Sequence, residues 1–429
     1  MTRLGRVSLT LLLYVSTLSV LIGQSAKPPA NLNWPMFKGQ PARTGFNPAE
    51  TTIASSNAKF LSEAWEGVMG DLVDTSSPVL ANGVVYVGSF DGKLYAFDAN
   101  GCGQATCNPL WSGATGNDIT SSPAVGNGSV FIGSNDHKLY AFPAAGCGQS
   151  TCSPTWTATT GGAIQNGSAL VAGGMVFIGS TDKKLYAFSA AGCGQPTCSP
   201  VWTGATGGQV QSAPAVAKSI LYVGSTDGKL YAFDAAGCGS ATCPPLWTAK
   251  AGASINGSGP AVANGVVYVG SFQQDLYAFA AAGCGQATCQ PLWKGAAGPF
   301  ISSSPAVANG VVYVGNGDGL LSAFKAGGCG DPVCQPLWQG IAVGAQAAMI
   351  SAPTVANGVV YIGENNGMVE VFNARGCGKS LCQPITQLLT KNEPIVSSTP
   401  AVVNGTVYFG SADQLSPPIG RLYVFRLSQ

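Results

Sequence analysis

The sequence predicts an all-β protein: an eight-bladed β-propeller of four-stranded antiparallel blades, with the ring closed by an N-terminal strand. Three observations carry this. Residues 76–111 read SSPVLANGVVYVGSFDGKLYAFDANGCGQATCNPLW, and the signal beginning at Pro78 returns at Pro123, Ala169, Pro214, Pro260, Pro305, Pro353 and Pro400, giving eight copies. Successive copies start 45, 46, 45, 46, 45, 48 and 47 residues apart, the period at which one repeat is one propeller blade. The two ends are complementary: residues 60–67 (FLSEAWEG) match the end of a repeat with no first half before them, while the eighth copy stops after its third strand. A strand around Trp65 is therefore expected to complete the last blade and remove the open sheet edges.

Each copy reads as four short strands, in blade 1 Pro-Val-Leu, Val-Val-Tyr-Val-Gly, Leu-Tyr-Ala-Phe and Pro-Leu-Trp. Asn82-Gly83, Asp91-Gly92, Asp227-Gly228, Asn264-Gly265 and Asn309-Gly310 fall between strands, where tight hairpins need residues that accept positive φ. The fourth strands carry Trp111, Trp156, Trp202, Trp247, Trp293 and Trp338, with Trp65 supplied from the N-terminus. These seven are expected to dock between neighbouring blades, burying the indole while its N–H bonds a nearby carbonyl. The seventh copy has Thr386 at the Trp position, and the eighth has an insertion over residues 412–420.

The N-terminal region sets three expected divisions. Residues 1–26, with Arg3 and Arg6 before an apolar run from Val7 to Ile22 and small residues after it, read as a signal peptide. Residues 27–59, aperiodic and rich in Pro, Gly and Asn, read as an arm, and residues 60–429 as the propeller. The first cysteine is Cys102, so no lipidated N-terminal Cys is expected and the mature chain reads as secreted or periplasmic, a monomer without stable membrane insertion.

Only 9% of residues are charged, and the formal net charge is +1. No basic field exists to attract nucleic acid or anionic lipid.

All fourteen cysteines fall in seven C-G-x-x-x-C pairs: Cys102 with Cys107, Cys147 with Cys152, Cys193 with Cys198, Cys238 with Cys243, Cys284 with Cys289, Cys329 with Cys334 and Cys377 with Cys382. Each pair lies between the third and fourth strands, so its partners are local, and seven disulfides are expected in an oxidising compartment. The functional rivals fit poorly. Structural zinc needs four converging ligands, and redox pairs are usually C-x-x-C.

The segment LYAFDAxGCGxxxCxPLW, with the preceding SPAVANGVVYVGS, resembles the repeat of the pyrroloquinoline-quinone-like (PQQ-like) propellers. Trp34-Pro35-Met36-Phe37 with Arg43-Thr44-Gly45 is similar to the lead-in of that family's secreted members. The resemblance implies the propeller fold from about Asn33 onward. It leaves function open, because the family includes quinone-dependent dehydrogenases as well as BamB-like, non-enzymatic scaffolds.

A dehydrogenase of this family, acting on alcohols or sugars, would hold PQQ and calcium and use an Asp base. The residues expected to line the funnel are Thr75, Thr120, Asn166, Gln211, Asn256, Ser302 and Ser397, a neutral set without Arg or Lys to meet three carboxylates. There are no adjacent cysteines and no C-x-x-C-H haem site. Asp74, Asp118 and Glu393 precede inner strands and read as solvated loop carboxylates, and His137, the single His, lies in a hairpin turn. No catalytic, cofactor-binding or metal-ligating residue is assigned and no cofactor is expected. The favoured reading is a non-enzymatic scaffold that binds a protein, peptide or surface ligand through its funnel and loops. A PQQ-dependent dehydrogenase and a carbohydrate-binding propeller are the alternatives.

Overall fold

The computed structural model describes residues 1, 33–273, 275–343, 348–391, 398–413 and 418–428. Eight sheets form eight blades. Blade 1 is Val79–Ala81, Val84–Gly88, Lys93–Asp98 and Trp111–Ala114, from the channel outward. Its antiparallel register places Val85 opposite Phe97 and Ala96 opposite Trp111. Along Lys93–Asp98, Tyr95 and Phe97 pack toward blade 8 with Trp65 and Val424. Leu94 and Ala96 pack toward blade 2 with Val130 and Phe142. The two-residue period of a strand thus feeds two interfaces at once, which is why these strands read as continuous apolar runs.

Ring closure follows the sequence expectation. Leu61–Met69 pairs antiparallel with Ile419–Leu427 as the fourth strand of blade 8, in a register running from Leu61–Leu427 to Met69–Gly420.

Each sheet also carries a fifth, two-residue strand that the repeat did not announce. In seven blades it comes from the next copy's cysteine loop: Thr106–Cys107 pairs parallel with Leu61–Met69 in blade 8, and Thr151–Cys152 with Trp111–Ala114 in blade 1. All seven disulfides are formed, with Cα–Cα distances of 5.6 or 5.7 Å. The second Cys of each pair is buried in the inter-blade core, so the loops join blades as well as closing turns.

The Trp docking is realised against those loops. A Cβ placed on Gly101 would lie 2.7 Å from Trp65 Cδ1, and φ there is +82°. Only glycine gives the indole this seat, and Gly146 stands against Trp111 in the same way. The expected indole hydrogen bond is not made everywhere: the N–H groups of Trp65, Trp202 and Trp247 are buried without a partner. Each of these indoles lies against a loop glycine, Trp65 on Gly101, Trp202 on Gly237 and Trp247 on Gly283.

Blade 7 explains its own departure. The eighth copy has no cysteine loop, so Thr386–Leu389 receives no fifth strand on its outer side, and the fifth strand of that sheet is Phe46–Asn47 on the inner side. With no glycine loop to receive an indole, Thr386 replaces Trp. Ile53 and Ala58 fill the seam instead, packed with Leu388 and Tyr423.

The arm is the largest feature hidden from the repeat. From Trp34 to Glu50 it touches the inner edge of every blade in turn. Trp34 bridges Leu80, Met36 bridges Ala124, and the carbonyls of Pro41, Ala42, Thr44 and Gly45 accept the N–H groups of Val216, Val262, Val307 and Val355. Asn47 Nδ2 donates to Val402 O at 2.8 Å in blade 8. Arg43 sits at the centre, donating to Ala169 O (2.7 Å), Pro214 O (2.9 Å) and Phe37 O. Lys38 donates to Ser304 O (3.1 Å) and Pro305 O. Both cations are buried. Desolvation pulls the Arg43 guanidinium down to about 9 and holds the Lys38 amine well below its usual value, with Arg43's charge adding to the latter. The arm therefore plugs one end of the channel, and the funnel opens at the other.

Candidate functional site

The funnel is built by the loops that enter each inner strand, and most of their hydroxyls are structural. Seven serines cap the second strand of their own blade, accepting from a glycine N–H: Ser76 from Gly88 at 2.9 Å, Ser212 from Gly224 at 2.8 Å and Ser351 from Gly363 at 2.7 Å are examples. The next position links blades. Ser122 Oγ accepts from Ser77 N (2.9 Å), Thr399 Oγ1 from Ala352 N (3.1 Å) and Ser77 Oγ from Thr399 N (2.9 Å). A run of backbone-to-hydroxyl bonds thus crosses the closure point from blade 7 to blade 2.

Above it lies a cavity of about 260 Å³. Of the seven residues expected to line the funnel, Thr75, Asn166, Asn256 and Ser302 meet there. Thr120 lies between two of them, its carbonyl accepting from Thr75 Oγ1 (2.7 Å) and its hydroxyl from Asn166 N (3.3 Å). Gln211 is turned to Gln165 (3.1 Å) and is not part of the wall. Ser397 and Glu393 lie outside the described residues.

Asp74 adjoins Thr75 and is half-buried, as is Asp118, whose carbonyl accepts from Asn135 N at 3.0 Å. His137 occupies its turn with φ +71°. Among the described residues, no three His, Cys, Asp or Glu side chains converge.

The structure adds residues that sequence reasoning passed over. Phe37, from the arm, and Phe272 line the same cavity. Phe272 meets Phe300 edge-on, with ring centroids 5.4 Å apart. Their side chains belong to one hairpin and one loop 28 positions apart, a proximity with no signal in the chain. Phe300 holds φ +56° and Asn166 φ +57°. For a non-glycine residue this conformation costs roughly 1–2 kcal/mol, and such positions concentrate at functional sites.

A second missed group is Glu364 with Glu370 in blade 7, both buried. They stand where other repeats place a serine and a tyrosine, as with Ser89 and Tyr95, whose hydroxyl donates to Asp91 at 2.5 Å. Glu370 Oε1 accepts from Gln387 Nε2 (2.7 Å) and Val343 N (3.1 Å). Burial, and next the charge of Glu370, push the Glu364 carboxyl up to about 9. Burial also raises Glu370, against the bonds from Gln387 and Val343. Glu364 is thus held protonated beside Glu370, and both Glu364 oxygens and Glu370 Oε2 are buried without a hydrogen-bond partner among the described residues.

A family model described as outer membrane protein assembly factor BamB matches residues 46–193, 149–241 and 240–420. This chain belongs to that BamB-like propeller family. Among solved structures it is similar to BamB from Moraxella catarrhalis, with a TM-score of 0.63 and 18% identity over 86% of this chain and 98% of that one. It is also similar to a europium-containing methanol dehydrogenase (TM-score 0.71, 13% identity, 92% of this chain and 98% of that one). A quinohemoprotein alcohol dehydrogenase from Comamonas testosteroni gives TM-score 0.69 and 14% identity over 94% of this chain and 81% of that one. At these identities the likeness concerns the fold. No curated protein sequence matches the chain.

The quinoprotein neighbours raise the question of PQQ and calcium. Among the described residues, the cavity walls of this BamB-like propeller present hydroxyls, amides and aromatic rings and no carboxylate. Lys38 and Arg43 below are turned to backbone carbonyls. That donor set does not fit a calcium-bound tricarboxylate.

Proposed function

We propose that this chain is a secreted or periplasmic, non-enzymatic propeller scaffold that holds a protein, peptide or surface ligand on its funnel face. The observation that carries the reading is the neutral cavity above a plugged channel, its wall tied from blade 7 to blade 2 by backbone-to-hydroxyl bonds. Such a surface is preformed and rigid, so binding there costs little ordering of the protein. Membership of the BamB-like family supports the scaffold role, and seven disulfides support an oxidising compartment.

The test uses labelled protein and the cell envelope of the organism that encodes it. Saturable retention that an Asn166→Ala, Asn256→Ala double variant loses, at unchanged melting temperature, is the expected result. Turnover of alcohols or aldoses with dye reduction, after incubation with PQQ and Ca²⁺, would overturn it.

A further inference from the structure

We propose that the funnel mouth takes a neutral sugar ring, seated on the Phe272–Phe300 pair and hydrogen-bonded by the amides of Asn166 and Asn256. This rests on the reading of the funnel face as the binding surface and names the chemistry of what binds there.

The argument begins with exposure. Phe272 is 42% and Phe300 55% exposed, while among the other aromatic residues described only Phe60 is comparably exposed. Aromatic side chains left in water at the rim of a concave site mark a place where an apolar face is received. Two backbone bonds hold them out: Phe300 N donates to Phe272 O at 3.2 Å, and Ser302 N to Phe300 O at 3.1 Å. Position 300 is Asp118, Gln209 or Ser254 in other copies, so the aromatic pair belongs to one blade and not to the repeat.

The polar half of the site is neutral and uncommitted. The side-chain amides of Asn166 and Asn256 line the cavity and have no hydrogen-bond partner among the described residues. Each offers two donors and an acceptor in one plane, matching neighbouring hydroxyls on a ring. Thr75 and Ser302 add hydroxyls to the same wall. Among the described residues lining these walls, a charged ligand would meet no opposite charge. A sugar ring satisfies both halves, presenting C–H groups to the aromatics and O–H groups to the amides. The volume of about 260 Å³ lies below the roughly 300–1,000 Å³ of sites for drug-sized ligands, and suits one ring at the end of a chain.

The experiment is calorimetry of the full mature chain against maltotriose, cellotriose, chitotriose and mannotriose, beside a proline-rich peptide, with Phe300→Gly as the variant. Glycine relieves the left-handed backbone at this position, so the variant should melt no lower than the parent. The expected result is binding of at least one trisaccharide, weakened tenfold or more by Phe300→Gly and by Asn256→Ala. Failure of all four trisaccharides to bind, or binding indifferent to Phe300→Gly, overturns the proposal. Variant-sensitive binding of the peptide alone also overturns the sugar assignment, while leaving the funnel face as the binding surface.

Discussion

Arg421 Nη1 lies 3.0 Å from Glu66 Oε1, joining residues 355 positions apart. Glu66 is on the N-terminal strand and Arg421 on the C-terminal one. The other Glu66 oxygen takes Lys391 Nζ at 3.0 Å from blade 7, and Thr106 Oγ1 of blade 1 reaches Oε1 at 3.2 Å. One buried carboxylate therefore ties three blades at the point where the ring closes. Arg421→Met leaves that charge underpaired and is expected to cost about 3 kcal/mol. Lys391, 54% exposed at its side chain, should cost under about 1 kcal/mol when changed to Ala. Urea denaturation of the two variants checks the difference.

The docking tryptophans give a paired prediction. Trp111→Ala removes an indole seated on Gly146 and should destabilise by about 3–5 kcal/mol. Thr386→Trp restores the repeat's residue where no glycine loop receives it, so it should bring no gain in denaturant midpoint. A gain comparable to the Trp111→Ala loss would show that the cysteine loop is not what the indole needs.

These two positions also show what the chain made legible. Repetition announced the blades, the disulfides and the closing strand because each copy restated the same constraints. Thr386 was visible as a departure, but its reason, the missing loop of an eighth neighbour, required the fold. The arm from Trp34 to Glu50 carries no period, since each of its residues meets a different blade, and so its role as a plug had no sequence signal. Phe300, Glu364 and Glu370 are single-copy substitutions, and Phe272 shares its repeat position with Phe90 of blade 1, so only the fold shows that Phe272 and Phe300 meet. Thr75, Asn166, Asn256 and Ser302 were found by position in the repeat, whereas Gln211 occupied that position and turned aside to Gln165.

Blade 4 turns through Lys218 (φ +48°) and Ser219 (φ +64°), where sister hairpins use Asn-Gly, as at Asn82 and Gly83. Left-handed backbone disfavours both side chains. Lys218→Asn with Ser219→Gly should stabilise the protein by about 1 kcal/mol or more, read as a higher denaturant midpoint with unchanged slope.

The Glu364–Glu370 pair makes stability depend on pH in a defined direction. Both carboxyls are raised in the folded state, so between about 4.5 and 9 the folded chain binds more protons than the unfolded one. Their contribution is complete below the unfolded value and is lost as pH rises through the folded one, at no more than about 1.4 kcal/mol per pH unit for one proton. Glu364→Gln removes the titration and keeps a donor toward Glu370. Relative to the parent, it should gain about 2 kcal/mol between pH 5.5 and 8.5 in paired melting series. A constant difference across that range would contradict the raised Glu364 carboxyl.

The most direct test of the closed ring is the unfolding of a chain lacking Leu61–Met69. Burial of Trp65 and Met69 is worth about 1.5–3 kcal/mol each, and the deletion also strips the edge of Ile419–Leu427. Followed by circular dichroism, the account predicts a loss of roughly 5 kcal/mol or more, or no cooperative transition at all. A melting curve superimposable on that of the intact chain would contradict closure through the N-terminal strand.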